Sequence, residues 1–343
     1  MSAPAKTNRL GLTREDYKGS PSTLCPGCGH DAITNHLQAA AFEYGLEPQR
    51  MIKLSGIGCS SKTTNYFMNL SHGFNSVHGR MPSIATGAML ANGELMAVGV
   101  SGDGDTASIG IGQFIHLVRR NVKIVYVIEN NGVYGLTKGQ FSATADVGSK
   151  AKSGVANELF PLDCCALAIE LGCGFVARSF SGDGKQLIPL IKGALSHRGT
   201  AIIDVISPCV TFNNHDGSTK SYPFVKEHDE PIHEVGFVPF YEEIRVDFEP
   251  GMTKDVPLPD GSRVTLRKLE RDYDPTDRME ALRLIHESRE AGELLTGLLH
   301  IDTTRPSFNE RLDLDDSAPL SCMPQEKLRP SRAALDEIMR ALM

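Results

Sequence analysis

The sequence predicts an α/β protein: a mostly parallel sheet sandwiched by helices, followed by a C-terminal extension. Three observations carry that reading. From about Thr23 to Pro208, short β-branched runs alternate with helical patterns. The runs lack period-two alternation, as strands buried on both faces do, and strand–helix–strand alternation of this kind builds a parallel sheet with helices on its faces. Beyond about Val235 the character changes, with segments such as Asp247–Ser262 and Asp302–Pro330 rich in proline and charge and weak in periodicity.

Taken in order, a helix is expected over Asp31–Tyr44 and a strand over Leu95–Val100. A helix over Thr106–Arg120 would place Ile109, Phe114, Leu117 and Val118 on one apolar face. Further strands are expected over Val122–Ile128, Gly174–Val176 and Thr200–Ile206. In the last hundred residues an amphipathic helix over Thr276–Leu298 and a terminal helix over Ser331–Leu342 stand out. The expected organisation is an N-terminal arm (1–22), an α/β domain (23–235), and an extension (236–343) that packs on the core or wraps a partner.

Composition excludes several classes. With 41% hydrophobic and 22% charged residues in 343, the chain is no disordered tail. A net charge of −7 argues against a general nucleic-acid binder, whose phosphate contacts need a basic face. No apolar run reaches the ~18–20 residues that span a bilayer, and Met1–Tyr17 has no apolar core of a secretory signal. A soluble, cytoplasmic protein is the expectation. Eight cysteines in such a chain do not make a disulfide scaffold; in a reducing compartment, clustered thiols more often mean metal or redox chemistry.

Ligands of parallel sheets bind outside the carboxyl ends of the strands, so motifs at strand ends come first. One buried run ends in Gly102-Asp103-Gly104-Asp105, and a second ends in Asn130-Asn131-Gly132-Val133. Asp103 offers a hard carboxylate oxygen to Mg²⁺ and Asn131 an amide oxygen, in keeping with a cation that shares its octahedral oxygen shell with phosphates. Gly102 and Gly104 let the backbone turn sharply and approach a diphosphate, and a helix opening near Thr106 would aim N–H groups at the anion. Either motif alone could be an ordinary βα turn; the pair, separated by a helix and a strand, favours the site. Neither a G-x-G-x-x-G opening a βαβ unit nor a P-loop occurs.

Four cysteines sit in loops that a parallel sheet would gather at one end: Cys25 and Cys28 in a C-x-x-C before a helix, Cys59 in a glycine-rich turn, and Cys209 after the Thr200–Ile206 run. Four thiolates suit a tetrahedral Zn²⁺ or an iron–sulfur cluster, and spacing leaves both open. Cys164, Cys165 and Cys173 read as small buried hydrophobes, and Cys322 lies in the polar tail.

The GDG motif, then about 25 residues, then NN is the pattern of thiamine-diphosphate enzymes. Together CPGCGH, GIGCSSK, HGR, GDGD, NNGVYGLTKGQ and SPCVTFN resemble the β subunit of 2-oxoacid:ferredoxin oxidoreductases over about residues 23–230. The resemblance implies the thiamine-diphosphate-binding fold, with Mg²⁺ held by Asp103, the Asn131 side chain and the Val133 carbonyl, and Gly104 and Asp105 at the diphosphate. It implies a [4Fe–4S] cluster on Cys25, Cys28, Cys59 and Cys209. Ile57, Gly58, Cys59, Ser60, His78, Gly135 and Leu136 would help hold the cofactor, and Lys62 and Leu136 would meet the substrate. Taken alone, Lys62 reads as a solvated lysine and His78 as a core histidine; His215 and Asp216, in the stretch after Cys209, receive no role.

The implied activity is coenzyme-A-dependent oxidative decarboxylation of a 2-oxo acid, 2-oxoglutarate ahead of pyruvate or another 2-oxo acid, to an acyl-CoA and CO₂, electrons passing to ferredoxin. The carboxylate that activates the cofactor would come from a partner α subunit, in a heterodimer or dimer of heterodimers, so no catalytic residue is assigned to this chain. Two other readings stand beside it: a non-redox thiamine-diphosphate decarboxylase or synthase subunit with structural zinc, and a non-catalytic zinc scaffold that keeps the fold.

Overall fold

Nine strands form one sheet in the computed structural model, which describes residues 6–149, 155–211, 246–257, 263–270, 272–314 and 318–342. In chain order the strands are β1 (Met51–Ser55), β2 (His72–Asn75), β3 (Met96–Gly102), β4 (Ile124–Asn130), the short hairpin pair β5 (Val133–Tyr134) and β6 (Gln140–Phe141), then β7 (Phe175–Phe180), β8 (Thr200–Ile206), β9 (Thr253–Pro257), β10 (Arg263–Lys268) and β11 (Leu294–Ile301). The main sheet runs β2-β1-β3-β4-β8-β7-β11-β10-β9, while β5 and β6 pair apart from it. From β2 to β7 every pairing is parallel. β11 then runs antiparallel to β7 and parallel to β10.

Helices cover both faces: α1 (Gly29–Tyr44), the short α2 (Cys59–Thr63), α3 (Met81–Ala91), α4 (Ile111–Arg120), α5 (Cys164–Glu170), α6 (Gly184–Ser196) and α7 (Arg278–Glu290). On one face α3, α4, α5 and α7 close over Ile124, Tyr126 and Ile128 of β4; on the other α1 and α6 close over Val125 and Val127. Both sets of alternate residues are therefore buried, which is why the strand runs show no polar alternation.

Two expectations need correction. Helical structure between residues 104 and 120 is not continuous: a π-helical turn, Gly104–Ile109, is followed by a break at Gly110, and α4 starts at Ile111. Gly110 is held tightly, since a Cβ there would lie 2.5 Å from the Asp105 carbonyl oxygen. The break shifts the helical phase, so Phe114, Leu117 and Val118 are buried while Ile109 is 45% exposed. The Thr276–Leu298 pattern also divides: α7 ends at Glu290, Gly292 turns the chain at φ +71°, and β11 begins at Leu294.

Lys53, on β1, is buried and donates to the carbonyls of Phe67 (2.7 Å) and Met68 (3.1 Å), anchoring the loop that follows α2. Burial lowers its pKa to about 8. The unfolded chain, with an ordinary lysine near 10.5, then binds more protons between pH 8 and 10.5, so stability attributable to Lys53 rises with pH across that window, by at most about 3 kcal/mol. Denaturant unfolding at pH 8 and pH 10 should show this gain in the wild type relative to Lys53→Met; identical pH dependence in the two proteins would refute it.

Candidate functional site

The carboxyl ends of β1, β3 and β4 open into one pocket. Its walls include Ile57, Gly58, Cys59 and Ser60 after β1, Gly102–Asp105 at the end of β3, and Glu129, Asn131 and 133–137 around β4. His30 and His78 complete it. The start of α1 packs against the neighbouring strand ends, for a Cβ on Gly29 would lie 2.6 Å from the Ser207 hydroxyl and 2.7 Å from that of Ser181. The Cys28 loop and the Cys209 loop therefore meet the same end of the sheet.

Asp103 is 1% exposed. Its Oδ2 accepts hydrogen bonds from Ser142 Oγ and from Thr144 Oγ1 (2.5 Å), and its Oδ1 accepts from the Asn131 N–H at 3.3 Å. Asn131 Oδ1 in turn accepts from the Val133 N–H at 3.1 Å. The site thus presents a carboxylate and an amide oxygen, hard donors of the kind Mg²⁺ takes. Gly104 lies beneath Tyr134, whose ring a Cβ would meet at 2.6 Å and whose hydroxyl donates to the Gly104 carbonyl at 3.0 Å.

Asp105 is a junction rather than an exposed group. Its Oδ1 accepts from the Gly79 N–H (2.7 Å) and bonds His78 Nδ1; its Oδ2 accepts from Ser101 Oγ at 2.5 Å. The Ile57 N–H approaches Oδ1 at 3.4 Å, and a Cβ at Gly56 would fall 1.8 Å from Oδ2. One buried carboxylate thereby ties the loops after β1, β2 and β3 together.

Among the cysteines, Cys59 opens α2 and Cys28 caps α1. A Cβ on Gly135 would lie 3.6 Å from the Cys209 sulfur and 3.7 Å from that of Cys59, so a glycine stands where the two thiols approach. Burial pushes the Cys28 thiol well up, with nearby Cys209 adding to it, and burial raises Cys59, where Lys62 opposes the shift and Cys25 adds to it. Thr211 donates to the Cys25 sulfur at 3.5 Å. Of the four, Cys59 lines the pocket and the Cys209 sulfur lies close to Gly135, and among the described residues no three His, Cys, Asp or Glu groups are gathered as a metal ligand set. The soft donor set is nonetheless that of a zinc or iron–sulfur centre. Cys164, Cys165 and Cys173 are buried in the core, and Cys322 is exposed in the tail. Lys62 is half-buried beside Cys59 and does not line the pocket, whereas Leu136 stands exposed at its mouth. His215 and Asp216 lie outside the described residues.

Sequence reasoning passed over a second set of polar groups. Glu129 is fully buried, its pKa pushed well above the usual carboxylate range by burial, and both its oxygens lie 3.1 Å from the Thr63 hydroxyl. His30 Nδ1 lies 3.7 Å from Glu129 Oε2 and 2.6 Å from Ser207 Oγ, and burial lowers its pKa to about 4. Glu129 and His30 together link β4, α2, α1 and the end of β8. The available signal was a glutamate closing an otherwise apolar strand, IVYVIEN.

Residues 56–205 match the family model described as the C-terminal TPP-binding domain of thiamine pyrophosphate enzymes, and residues 263–315 match that of the C terminus of the pyruvate ferredoxin oxidoreductase beta subunit. A 2-oxoacid:ferredoxin oxidoreductase subunit beta from Sulfolobus is 35% identical over 325 residues, covering 93% of this chain and 94% of that one. The chain belongs to the 2-oxoacid:ferredoxin oxidoreductase β-subunit family. It is an oxidoreductase subunit, and as a β subunit it has an α subunit as partner. A second relative, the 2-oxoglutarate oxidoreductase subunit KorB of Mycobacterium tuberculosis, is 39% identical over 224 residues, 63% of this β subunit and 59% of that one. Among solved structures, the 2-oxoglutarate:ferredoxin oxidoreductase from Magnetococcus marinus with 2-oxoglutarate, coenzyme A and succinyl-CoA bound superposes at TM-score 0.72 and 28% identity, covering 96% of this chain and all of that one. No helix among the described residues of the β subunit is long and apolar enough to cross a membrane.

Proposed function

We propose that this β subunit holds thiamine diphosphate through a Mg²⁺ bound by Asp103, the Asn131 side chain and the Val133 carbonyl, and carries a [4Fe–4S] cluster on Cys25, Cys28, Cys59 and Cys209. With its α subunit it converts 2-oxoglutarate and coenzyme A to succinyl-CoA and CO₂, and the electrons released reach ferredoxin through the cluster. One observation carries the reading: a single pocket is lined by Asp103, Asn131 and Cys59, and by Gly135, which lies against the sulfurs of both Cys59 and Cys209.

Thiamine diphosphate supplies the carbanion chemistry that decarboxylates a 2-oxo acid. The residues of this chain orient and insulate it. Asp103 and Asn131 offer oxygens to the cation, and the Gly102–Gly104 turn lets the backbone approach a diphosphate. Tyr134 closes over that turn, while Leu136 and Ile57 stand exposed at the rim. Lys62 brings a cation close to Cys59. The 2-oxoglutarate assignment is supported by the names of the KorB relatives and by the ligands in the Magnetococcus structure.

The test is a visible spectrum of the anaerobically purified protein with iron, sulfide and zinc assays. A brown protein with about four iron and four sulfide per chain is expected; a colourless one with one zinc would replace the redox reading by a non-redox thiamine enzyme. Cys209→Ser should lose the iron and the colour, whereas Cys322→Ser should keep both; full iron in Cys209→Ser would refute the ligand set. Coenzyme-A-dependent dye reduction by the assembled complex should favour 2-oxoglutarate, and a higher kcat/KM for pyruvate would overturn the substrate.

A further inference from the structure

Ser142 and Thr144 lie in the loop that follows β6, 39 and 41 residues beyond Asp103 in sequence, yet both hydroxyls point at the same carboxylate oxygen. Both residues are buried. The two hydroxyls are 2.9 Å apart, and Thr144 Oγ1 also lies 3.0 Å from Asn130 Oδ1. The chain of polar contacts continues inward. Asn130 Nδ2 donates to Asp204 Oδ1 at 3.1 Å; Arg178 Nε donates to Asp204 Oδ2 at 3.1 Å; Arg178 Nη2 donates to Asp163 Oδ1 at 2.6 Å. Asp163 accepts in addition from the Ala166 N–H at 2.9 Å, capping α5. Asn130, Asp204 and Arg178 are all buried, and they come from three adjacent strands, β4, β8 and β7.

Such a row fixes directions. Asp204 can only accept from the amide nitrogen of Asn130, so the Asn130 oxygen faces Thr144. Thr144 then has one hydroxyl proton for two acceptors, Asp103 Oδ2 and Asn130 Oδ1, while Ser142 turns its hydroxyl to Asp103. The protein uses Asp103 Oδ2 for two short hydroxyl bonds and Oδ1 for a single long one, leaving Oδ1 as the oxygen available to a cation. Buried polar networks of this kind hold their members in place because moving one side chain leaves its partners unpaired in a low-dielectric interior.

We infer that Ser142 and Thr144 are positioning residues for the cation site: they lock the Asp103 carboxylate so that Oδ1 is presented, and the Asn130–Asp204–Arg178–Asp163 row holds them in place. This rests on the thiamine diphosphate reading above. Groups that orient a metal ligand typically account for 10–100-fold in metal affinity.

The experiment is a Mg²⁺ titration of cofactor-stripped αβ complex at saturating thiamine diphosphate, followed by calorimetry and, separately, by recovered turnover. Thr144→Val and Ser142→Ala should each raise the Kd for Mg²⁺ about 10–100-fold, with kcat restored at high Mg²⁺, iron content unchanged, and Thr144→Ser close to wild type. A general structural defect would instead lower kcat at every Mg²⁺ concentration, and that result overturns the inference. So does an unchanged Mg²⁺ affinity in both variants. If Thr144→Val fails to fold, Ser142→Ala, which removes one hydroxyl and adds no bulk, decides alone. A wild-type complex with no Mg²⁺-dependent cofactor binding would overturn the underlying reading, and the two failures are thereby distinct.

Discussion

Asp103→Ala is expected to abolish Mg²⁺-dependent retention of thiamine diphosphate while leaving the iron of the cysteine centre in place. The substitution removes the one carboxylate of the proposed cation site, so the loss should equal or exceed what orienting groups alone contribute, on the order of 100-fold or more in cofactor affinity. The fold should survive it. Ser142 and Thr144, deprived of their acceptor, still lie 2.9 Å apart and can bond each other, and Thr144 retains Asn130 at 3.0 Å. The cysteine loops depend on other contacts, among them Thr63 with Glu129 and His30 with Ser207. Equilibrium dialysis of the cofactor with parallel iron analysis reads both quantities. Retained cofactor with lost iron would mean that the two sites have been confused.

Gly56→Ala should be nearly as damaging by a different route. An added methyl would sit 1.8 Å from Asp105 Oδ2 and 2.6 Å from Oδ1, and that carboxylate cannot swing away without releasing Gly79, His78 and Ser101 together. Overpacking against an immobile partner typically costs about 1–3 kcal/mol, and the upper end is expected here, with loss of cofactor binding as the three loops part. Gly87→Ala is the control: Gly87 lies in α3 with nothing within 4 Å of a new Cβ, and alanine should stabilise the exposed helix by about 0.5–1 kcal/mol. Urea midpoints for the two variants should move in opposite directions. A Gly56→Ala protein of wild-type stability would show that the junction at Asp105 is slack.

The parts of this protein that were readable from sequence share a property: their chemistry is local. Gly102–Asp105 and Asn130–Gly132 declare themselves because a strand end, a hard ligand and a turn-former occur within four residues. The parallel sheet was legible because β4 and β8 are apolar on both faces. What escaped depends on partners far along the chain. Glu129 looks like an oddity until Thr63 and His30 are seen beside it, and Ser142 and Thr144 look like loop residues until Asp103 is. The helix misread at Ile109 has a cause in the tight approach of Gly110 to Gly79 and the Asp105 backbone, which no periodicity encodes. β11 was hidden because Leu294, Leu295, Leu298 and Leu299 fit a helical stripe as well as a buried strand, and Gly292, just before them, was the break that separates the strand from α7.

The position of β11 also bears on how the molecule is made. β7, formed by residues near 178, waits for a neighbour that is translated more than a hundred residues later. Until then the parallel half of the sheet ends at β7 in an edge of unpaired backbone N–H and C=O groups, the kind of edge that invites pairing with other chains. A nascent chain halted just short of residue 294 should therefore be a chaperone client and prone to aggregate, and release of that dependence should coincide with emergence of the Leu294–Ile301 segment from the exit tunnel.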